Sequence, residues 1–339
     1  MRFKTALVLS LVAVFALCSL AAAETYKFKP TRDQLWYLFG CGRPVLKVNP
    51  GDRLILWTED ANNGNTKTLQ DIQTVSGLPG KVNPQTGPIY VNGAEPGDTL
   101  VLKIEDIQPA ENQGWSWFEP RSGFLFSNNF HPTFGTTAPQ TVWLYPVNKE
   151  KGTVTFQARN MPGFTAEIPM RPFVGTIATA PPNGECVHTS TPWWSGGNMD
   201  CVDTAIGNTI YLPVSVPGAM WSTGDVHLVQ GDGEVCGTAV ECRGWVTIQV
   251  LSVIKGKKIR TPRFENDEYL MSAGSARPLD AAMKIAYEDM INWLVDDYGF
   301  DWQDALTLAS QVSPVRVGNV VDTNFTVVVK FPKKYLPTK

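Results

Sequence analysis

The chain has 339 residues, with 29 Lys+Arg against 32 Asp+Glu, a formal net charge of −3, 43% apolar and 18% charged residues. That is too apolar and too lightly charged for a disordered chain. With no basic stripe and no Lys/Arg run interleaved with aromatics, it also excludes a nucleic-acid partner.

Arg2 and Lys4 precede an uncharged run from Thr5 to Ala23, strongly apolar over Leu7 to Leu20 and ending in Ala21-Ala22-Ala23. A basic start, an apolar stretch and a small-residue end describe a signal peptide over residues 1–23. The apolar stretch is short for a membrane span, and no later segment is apolar enough to cross a bilayer. The mature chain is expected to begin near Glu24, in the periplasm or outside the cell, with no membrane contact. Of its five cysteines, Cys41, Cys186, Cys201, Cys236 and Cys242, an oxidising compartment leaves at least one unpaired. Cys186 and Cys201 flank a Trp-rich loop and are expected to pair.

The 29 glycines and 25 prolines favour many turns and therefore many strands. Val45–Val48 and Leu54–Trp57 are short apolar runs around Pro50-Gly51-Asp52; Ile89–Asn92 and Leu100–Ile104 repeat the arrangement around Pro96-Gly97-Asp98. Pro sets φ, Gly tolerates a positive one, and Asp bonds the local backbone, so both are turns. Two such pairs hint at a duplicated unit. Further strands are expected at Thr141–Tyr145, Thr153–Ala158, Thr209–Val214, Trp245–Val253 and Asn324–Phe331, bounded mostly by Gly, Pro or Asn. Residues 111–140 and 178–200 read as long loops, whose tryptophans (Trp115, Trp117, Trp193, Trp194) suit either pocket walls or packing. Leu279, Met283, Ala286, Met290 and Trp293 fall at helical spacing, with Pro278 in the first turn and Gly299 as the stop. A second helix follows over Asp301–Ser310, with Asp301 as N-cap. The expectation is a mainly β chain, sandwich- or barrel-like, with a small C-terminal α+β region whose helical segment spans about 278–311.

The chemistry concentrates in Gly224–Glu241, GDVHLVQGDGEVCGTAVE. In an extended segment Asp225 and His227 point to one face, where carboxylate and imidazole can share a proton or a metal ion. Gln230, Asp232, Glu234 and Glu241 follow, among glycines that let the backbone turn. Read without context, the segment is equally a polar turn between strands. Gly196-Gly197-Asn198-Met199-Asp200 is a second candidate, and Asp60 sits just past a strand end. His131 and His188 lie in Pro- or Trp-rich loops and draw no role.

In order, these pieces resemble the acetamidase/formamidase family. Pro217–Glu241 (PGAMWSTGDVHLVQGDGEVCGTAVE) looks like its Gly-Asp-x-His-x-x-Gln-Gly-Asp-Gly-Glu signature, and Asn83–Asp98 (NPQTGPIYVNGAEPGD) is similar to a second family block. Ile168–Gly175 (IPMRPFVG), Gly196–Asp200 and Asp60 fall in the expected order. Asn92 departs from an expected acid, Leu228-Val229 from a smaller pair, and the Cys- and Trp-bearing loop at 184–195 is peculiar to this chain. The resemblance covers most of residues 45–335. It implies a single catalytic unit over 24–339, a mainly β fold, homo-oligomers, and hydrolysis of small linear amides to carboxylate and ammonia.

An amide carbonyl is a poor electrophile, and a divalent metal both polarises it and lowers the pKa of bound water to about 7. Asp60, Asp225 and His227, with Asp200, are the expected ligands. Zn is expected, and the ligand types suit Ca or Mn as well. Glu234 and Glu241 compete as general base, with His227 beside them, and Asn198 and Gln230 are expected to bind substrate. Cys236 is a rival nucleophile, or a buried bystander, or half of a disulfide with Cys242. Two other readings use the same residues: a secreted binding module in which the acidic loop holds structural Ca²⁺, and a cyclic-amide hydrolase.

Overall fold

A computed structural model describes residues 23–64, 66–71, 81–118, 123–125 and 139–338; the leader up to residue 22 and His131 lie outside them. The expected strands form two large sheets. The first runs in the order Thr25–Phe28, Arg53–Thr58, Gly244–Ile254, Thr99–Pro109, Thr209–Pro213, Arg263–Glu265, Tyr269–Ala276, Phe325–Pro332 and Val315–Val317. The second runs Thr165–Pro169, Thr153–Gln157, Thr141–Asn148, Gln113–Phe118, Glu241–Cys242, Trp221–His227, Phe173–Ala178 and Gly196–Asn198. Thr86–Val91 also pairs with Trp221–His227, and Leu46–Val48 lies parallel to Thr86–Val91. Neither sheet closes on itself, so the architecture is a sandwich rather than a barrel. One core joins the two faces: Leu54, Leu102, Ile104 and Ile248 come from the first sheet, and Ile89, Ile177, Trp221 and Val226 from the second, as alternating side chains require.

The two Pro-Gly-Asp turns are built alike. Asp52 Oδ2 accepts from Asn49 N at 2.7 Å, and Asp98 Oδ2 from Glu95 N at 2.8 Å. Each turn carries the chain from the second sheet into the first, so the repeated motif is a repeated sheet crossing. The long loops are shorter than expected. Gln113–Phe118 within the first is a strand, and Val187–His188 and Gly196–Asn198 interrupt the second.

The C-terminal helices form as the spacing predicts, with a small rotation. Helix α1 spans Leu279–Tyr298, Pro278 is its N-cap, and Gly299 closes it in the left-handed conformation (φ 72°). Its buried face is Ala282, Ala286, Asp289, Met290, Trp293 and Leu294, whereas Met283 is exposed. Helix α2 spans Trp302–Val312, and Asp301 caps it by accepting from Gln303 N at 2.8 Å. Among the described residues no helix is long and apolar enough to cross a membrane.

The expected Cys186–Cys201 bridge is replaced by Cys41–Cys186, with Cα atoms 5.6 Å apart. Val187–His188 pairs with Leu38–Phe39, which brings Cys41 beside Cys186. Cys201 instead sits buried in the main core with a free thiol, as does Cys242.

Candidate active site

Trp221–His227 is buried along its whole length, so its two ionisable residues, Asp225 and His227, face each other inside the protein. The backbone is not flat there. Asp225 has φ 63°, and the ladder with Phe173–Ala178 skips the Gly175–Asp225 pair. A kink, rather than simple alternation, turns both side chains onto one spot. Glu241 arrives from the neighbouring strand, in direct register with His227. His227 Nε2 consequently lies 3.4 Å from Asp225 Oδ1 and 3.2 Å from Glu241 Oε1.

Gln230 fixes the other side of the imidazole. Its Nε2 donates to the carbonyls of Asp200 (2.7 Å) and Gly318 (3.0 Å), which turns its Oε1 toward His227 Nδ1 at 2.9 Å. An amide oxygen only accepts, so the network assigns the proton to Nδ1. In the neutral ring this leaves the Nε2 lone pair aimed between the carboxylates, the arrangement of a metal-binding histidine held by an outer hydrogen bond. Gln230, expected to touch substrate, is engaged on both ends of its amide.

Asp200 and Glu234 complete the ring. Among the described residues two groups offer ligand atoms within 4.8 Å of one another, Asp225–His227–Glu241 and Asp200–His227–Glu234, and all of these residues are buried. Asp200, Asp225 and Glu234 all adopt positive φ (45°, 63° and 48°). That conformation costs on the order of 1–3 kcal/mol per non-glycine residue and is concentrated at functional sites. Gly175 provides the space: a Cβ there would stand 2.7 Å from Asp200 Oδ1 and 2.9 Å from Asp225 Oδ2.

The charges do not balance. Asp200, Asp225, Glu234, Glu241 and Asp322 surround one imidazole, and none of the five is paired with Lys or Arg among the described residues. Burial pushes the Glu241 carboxyl up to about 7, against the pull of His227. Burial likewise pushes the Asp322 carboxyl up to about 7, opposed by its bond from Asn198. Asp200 and Glu234 are raised well above the usual range by burial, Asp200 further by Glu234 and Asp322. Burial presses the His227 pKa down, but the facing carboxylates of Glu241 and Asp225 outweigh it and raise it well above its ordinary value. Asp200 Oδ1, Asp225 Oδ1 and Glu241 Oε2 are buried without a hydrogen-bond donor. Orphaned carboxylate oxygens around a pre-oriented imidazole suit a divalent cation, since buried charges are otherwise paired or neutralised.

The other expected site residues lie outside the two ligand groups. Asp60 joins neither ligand group. Its Oδ1 accepts from the backbone N of Asn62 (2.9 Å) and Gly64 (2.8 Å), and its Oδ2 from Trp115 Nε1 (3.0 Å). The strand end that made it conspicuous is a turn that it holds together. Asn198 is fully engaged: Oδ1 accepts from Asn83 Nδ2 at 2.6 Å and from the Thr176 hydroxyl, while Nδ2 donates to Asp200 Oδ2 (2.8 Å) and Asp322 Oδ2 (2.7 Å). It positions Asp200 and Asp322 rather than offering a free amide to a substrate. Gly197 keeps Asn198 in place, since at φ 117° a side chain would collide with the Thr191 carbonyl. Among the described residues Cys236 bonds only the Trp117 carbonyl (3.8 Å), and burial and Glu234 push its thiol up, away from a reactive thiolate. It is not bridged to Cys242. Asp232 pairs with Arg316 at the surface.

Residue-type reasoning missed Thr176, Asn319 and Asp322. Asn319 Nδ2 donates to the Asn198 carbonyl (3.0 Å) and to Asp200 Oδ2 (3.2 Å), tying the C-terminal segment to the site. Nothing local in Gly318–Asn324 marks it. Asn83 and Gln85, in contrast, stand inside the NPQTGP block that carried the resemblance, and Gln85 Nε2 donates to Asn83 Oδ1 at 2.8 Å.

The model of the Acetamidase/Formamidase family matches residues 43–187 and 182–336. The chain belongs to the acetamidase/formamidase family. It is similar to a putative formamidase of Schizosaccharomyces pombe, 31% identical over 55% of each chain, and to a formamidase of Methylophilus methylotrophus, 27% identical over 65% of each. These alignments span less than two thirds of the curated relatives' own length. An acetamidase crystal structure from Yersinia enterocolitica superposes with a TM-score of 0.85 at 37% identity, covering 95% of this chain and 96% of that one. In this acetamidase/formamidase chain, the Gly224–Glu241 signature is therefore the strand and loop that supply His227, Gln230, Glu234 and Glu241.

Proposed function

We propose that this chain is an exported amidase that hydrolyses a small linear amide to carboxylate and ammonia with a divalent metal, zinc foremost. The observation that carries the reading is His227, with Nδ1 bonded to Gln230 and Nε2 set 3.2 and 3.4 Å from Glu241 and Asp225. Asp225, His227 and Glu241 would hold the ion. An imidazole among carboxylates favours zinc or manganese over calcium, which prefers an all-oxygen shell. When bound, such an ion supplies carbonyl polarisation and a water nucleophile at neutral pH.

The remaining acids divide the proton work. Glu241 is almost fully enclosed, whereas Glu234 borders an open cavity, so Glu234 is the base. It takes the proton of the attacking water and delivers it to the amide nitrogen, which leaves as ammonia. Asp200, held by Asn198 and Asn319, faces Glu234 across the ring, and burial together with the Glu234 carboxylate raises the pKa of Asp200 itself.

Export is supported by the leader-like start, by the Cys41–Cys186 bridge, and by Glu24. Its backbone N donates to buried Asp52 Oδ1 at 2.9 Å, and cleavage before Glu24 would make that bond a charge-assisted one. Homo-oligomers belong to the same reading, with Trp302 and Leu306 exposed on α2 as an apolar surface. The test is ammonia release from formamide, acetamide and larger amides, with metal content measured on the same sample. Activity that chelator abolishes and zinc restores is expected. Activity indifferent to chelator in metal-free protein defeats the metal assignment, and no release from any amide defeats the amidase and favours a binding module.

A further inference from the structure

The base assigned above opens onto a space far larger than a one- or two-carbon amide uses. Gln230 and Glu234 form part of the wall of an open cavity of about 340 Å³. Trp143, Tyr145, Phe156, Ile168 and Val229 line it as well. The first four come from Thr141–Asn148, Thr153–Gln157 and Thr165–Pro169, the three strands that extend the second sheet past Gln113–Phe118. These strands contribute nothing to the ligand ring, so their apolar face is available to a substrate.

Most polar groups of the wall are engaged, and Trp143 Nε1 is a buried donor without an acceptor among the described residues. Ser116 Oγ and Thr238 Oγ1 bond each other at 3.0 Å, and Asp232 is held by Arg316. Among the described residues no Lys or Arg lines the cavity. An acyl group with its own charges or hydroxyls would leave them unpaired there. An apolar acyl group, by contrast, gains by leaving water. A closed apolar cavity of about 150 Å³ suffices for benzene, so this one accommodates a phenyl ring or a branched chain with its carbonyl toward Glu234.

Resting on the amidase reading, we propose that this cavity is an acyl pocket and that the substrates are primary amides with an aromatic or branched aliphatic acyl group, in preference to formamide or acetamide. Each buried methylene contributes roughly a fourfold gain. The preference is thus expected to grow in steps from acetamide to isobutyramide and to exceed tenfold for benzamide over acetamide.

The experiment compares kcat/KM for formamide, acetamide, isobutyramide and benzamide, read as ammonia release, in the full-length metal-loaded protein and in Ile168→Trp, which fills the cavity from the edge strand. The proposal expects the rising series in the unmodified protein and a drop of tenfold or more in the benzamide-to-formamide ratio in Ile168→Trp. A series that falls from formamide to benzamide, or a variant that shifts all four amides alike, overturns the pocket and leaves the amidase standing. No ammonia from any of the four overturns the amidase and the pocket with it. If Ile168→Trp fails to fold, the series in the unmodified protein decides alone.

Discussion

Gln230 carries two separable tasks, and the separation makes its role measurable. Its Oε1 accepts from His227 Nδ1, and its Nε2 supports the Asp200 and Gly318 carbonyls. Gln230→Leu loses both and is expected to weaken metal affinity by about 10–100-fold, the usual scale for partners of metal-binding histidines. Gln230→Glu keeps the acceptor and loses the donor. Equilibrium competition with a metal indicator should show the Gln230→Glu variant holding metal within a few-fold of the parent. If it fails as badly as Gln230→Leu, the glutamine matters for its scaffold bonds and not for the imidazole. Glu234 and Glu241 divide in the same way. Glu241→Gln is expected to lose bound metal, whereas Glu234→Gln keeps it and loses at least about 100-fold in kcat, the range of general-base removal. Metal content measured beside kcat checks both, and metal loss in Glu234→Gln with retention in Glu241→Gln would exchange their roles. Much of this site was legible in the sequence, because the ring is seeded by one continuous motif, Asp225 to Glu241. Its outer bonds were not. Asn319 and Asp322 reach Asp200 and Asn198 across more than a hundred residues of chain, and no local pattern announces such a contact.

At the scale of the element, helix α1 shows how a buried charge can look like an ordinary polar position. Asp289 lies on the face packed against the first sheet. Its Oδ2 accepts from Arg263 Nε and Ser272 Oγ, both at 2.8 Å, and its Oδ1 from Arg263 Nη2 at 3.1 Å. Asp289→Ala leaves the Arg263 guanidinium buried without its partner, and breaking such a pair costs about 3–5 kcal/mol. Denaturant unfolding should show that loss, and the double variant Arg263→Met/Asp289→Leu should recover much of it, because it removes both charges. A single variant within about 1 kcal/mol of the parent would mean that water reaches the arginine. The apolar spacing alone marked Met283 as buried, whereas the real face is rotated to include Asp289, paired with Arg263. The same distinction holds for strands. Runs such as Leu54–Trp57 and Trp245–Val253 were legible because one face is apolar. Gln113–Phe118 and Trp221–His227 were not read as strands, since polar residues that serve the site and its supports interrupt their pattern.

For the molecule as a whole, the bridge between Cys41 and Cys186 is a covalent constraint of long reach, joining residues 145 apart in sequence. Flanking position in the sequence suggested Cys186 with Cys201, but the sandwich places Cys201 in its core and leaves Cys186 at the rim beside Leu38–Phe39. Closing so long a loop restricts the unfolded chain by about 5 kcal/mol in the chain-entropy model, a large share of the roughly 5–15 kcal/mol that holds typical domains folded. The processed protein should therefore titrate three thiols when denatured without reductant, those of Cys201, Cys236 and Cys242, and a fourth if Cys18 is retained with the leader. Reduction should lower the denaturation midpoint. The double variant Cys41→Ser/Cys186→Ser should start at that lower midpoint and not respond to reductant. Five free thiols in the processed, unreduced protein would remove the bridge and with it one of the supports for export. A bridge present without any shift on reduction would instead place its effect in the rim near Val187–His188, leaving the sandwich to be held by the core that joins its two sheets.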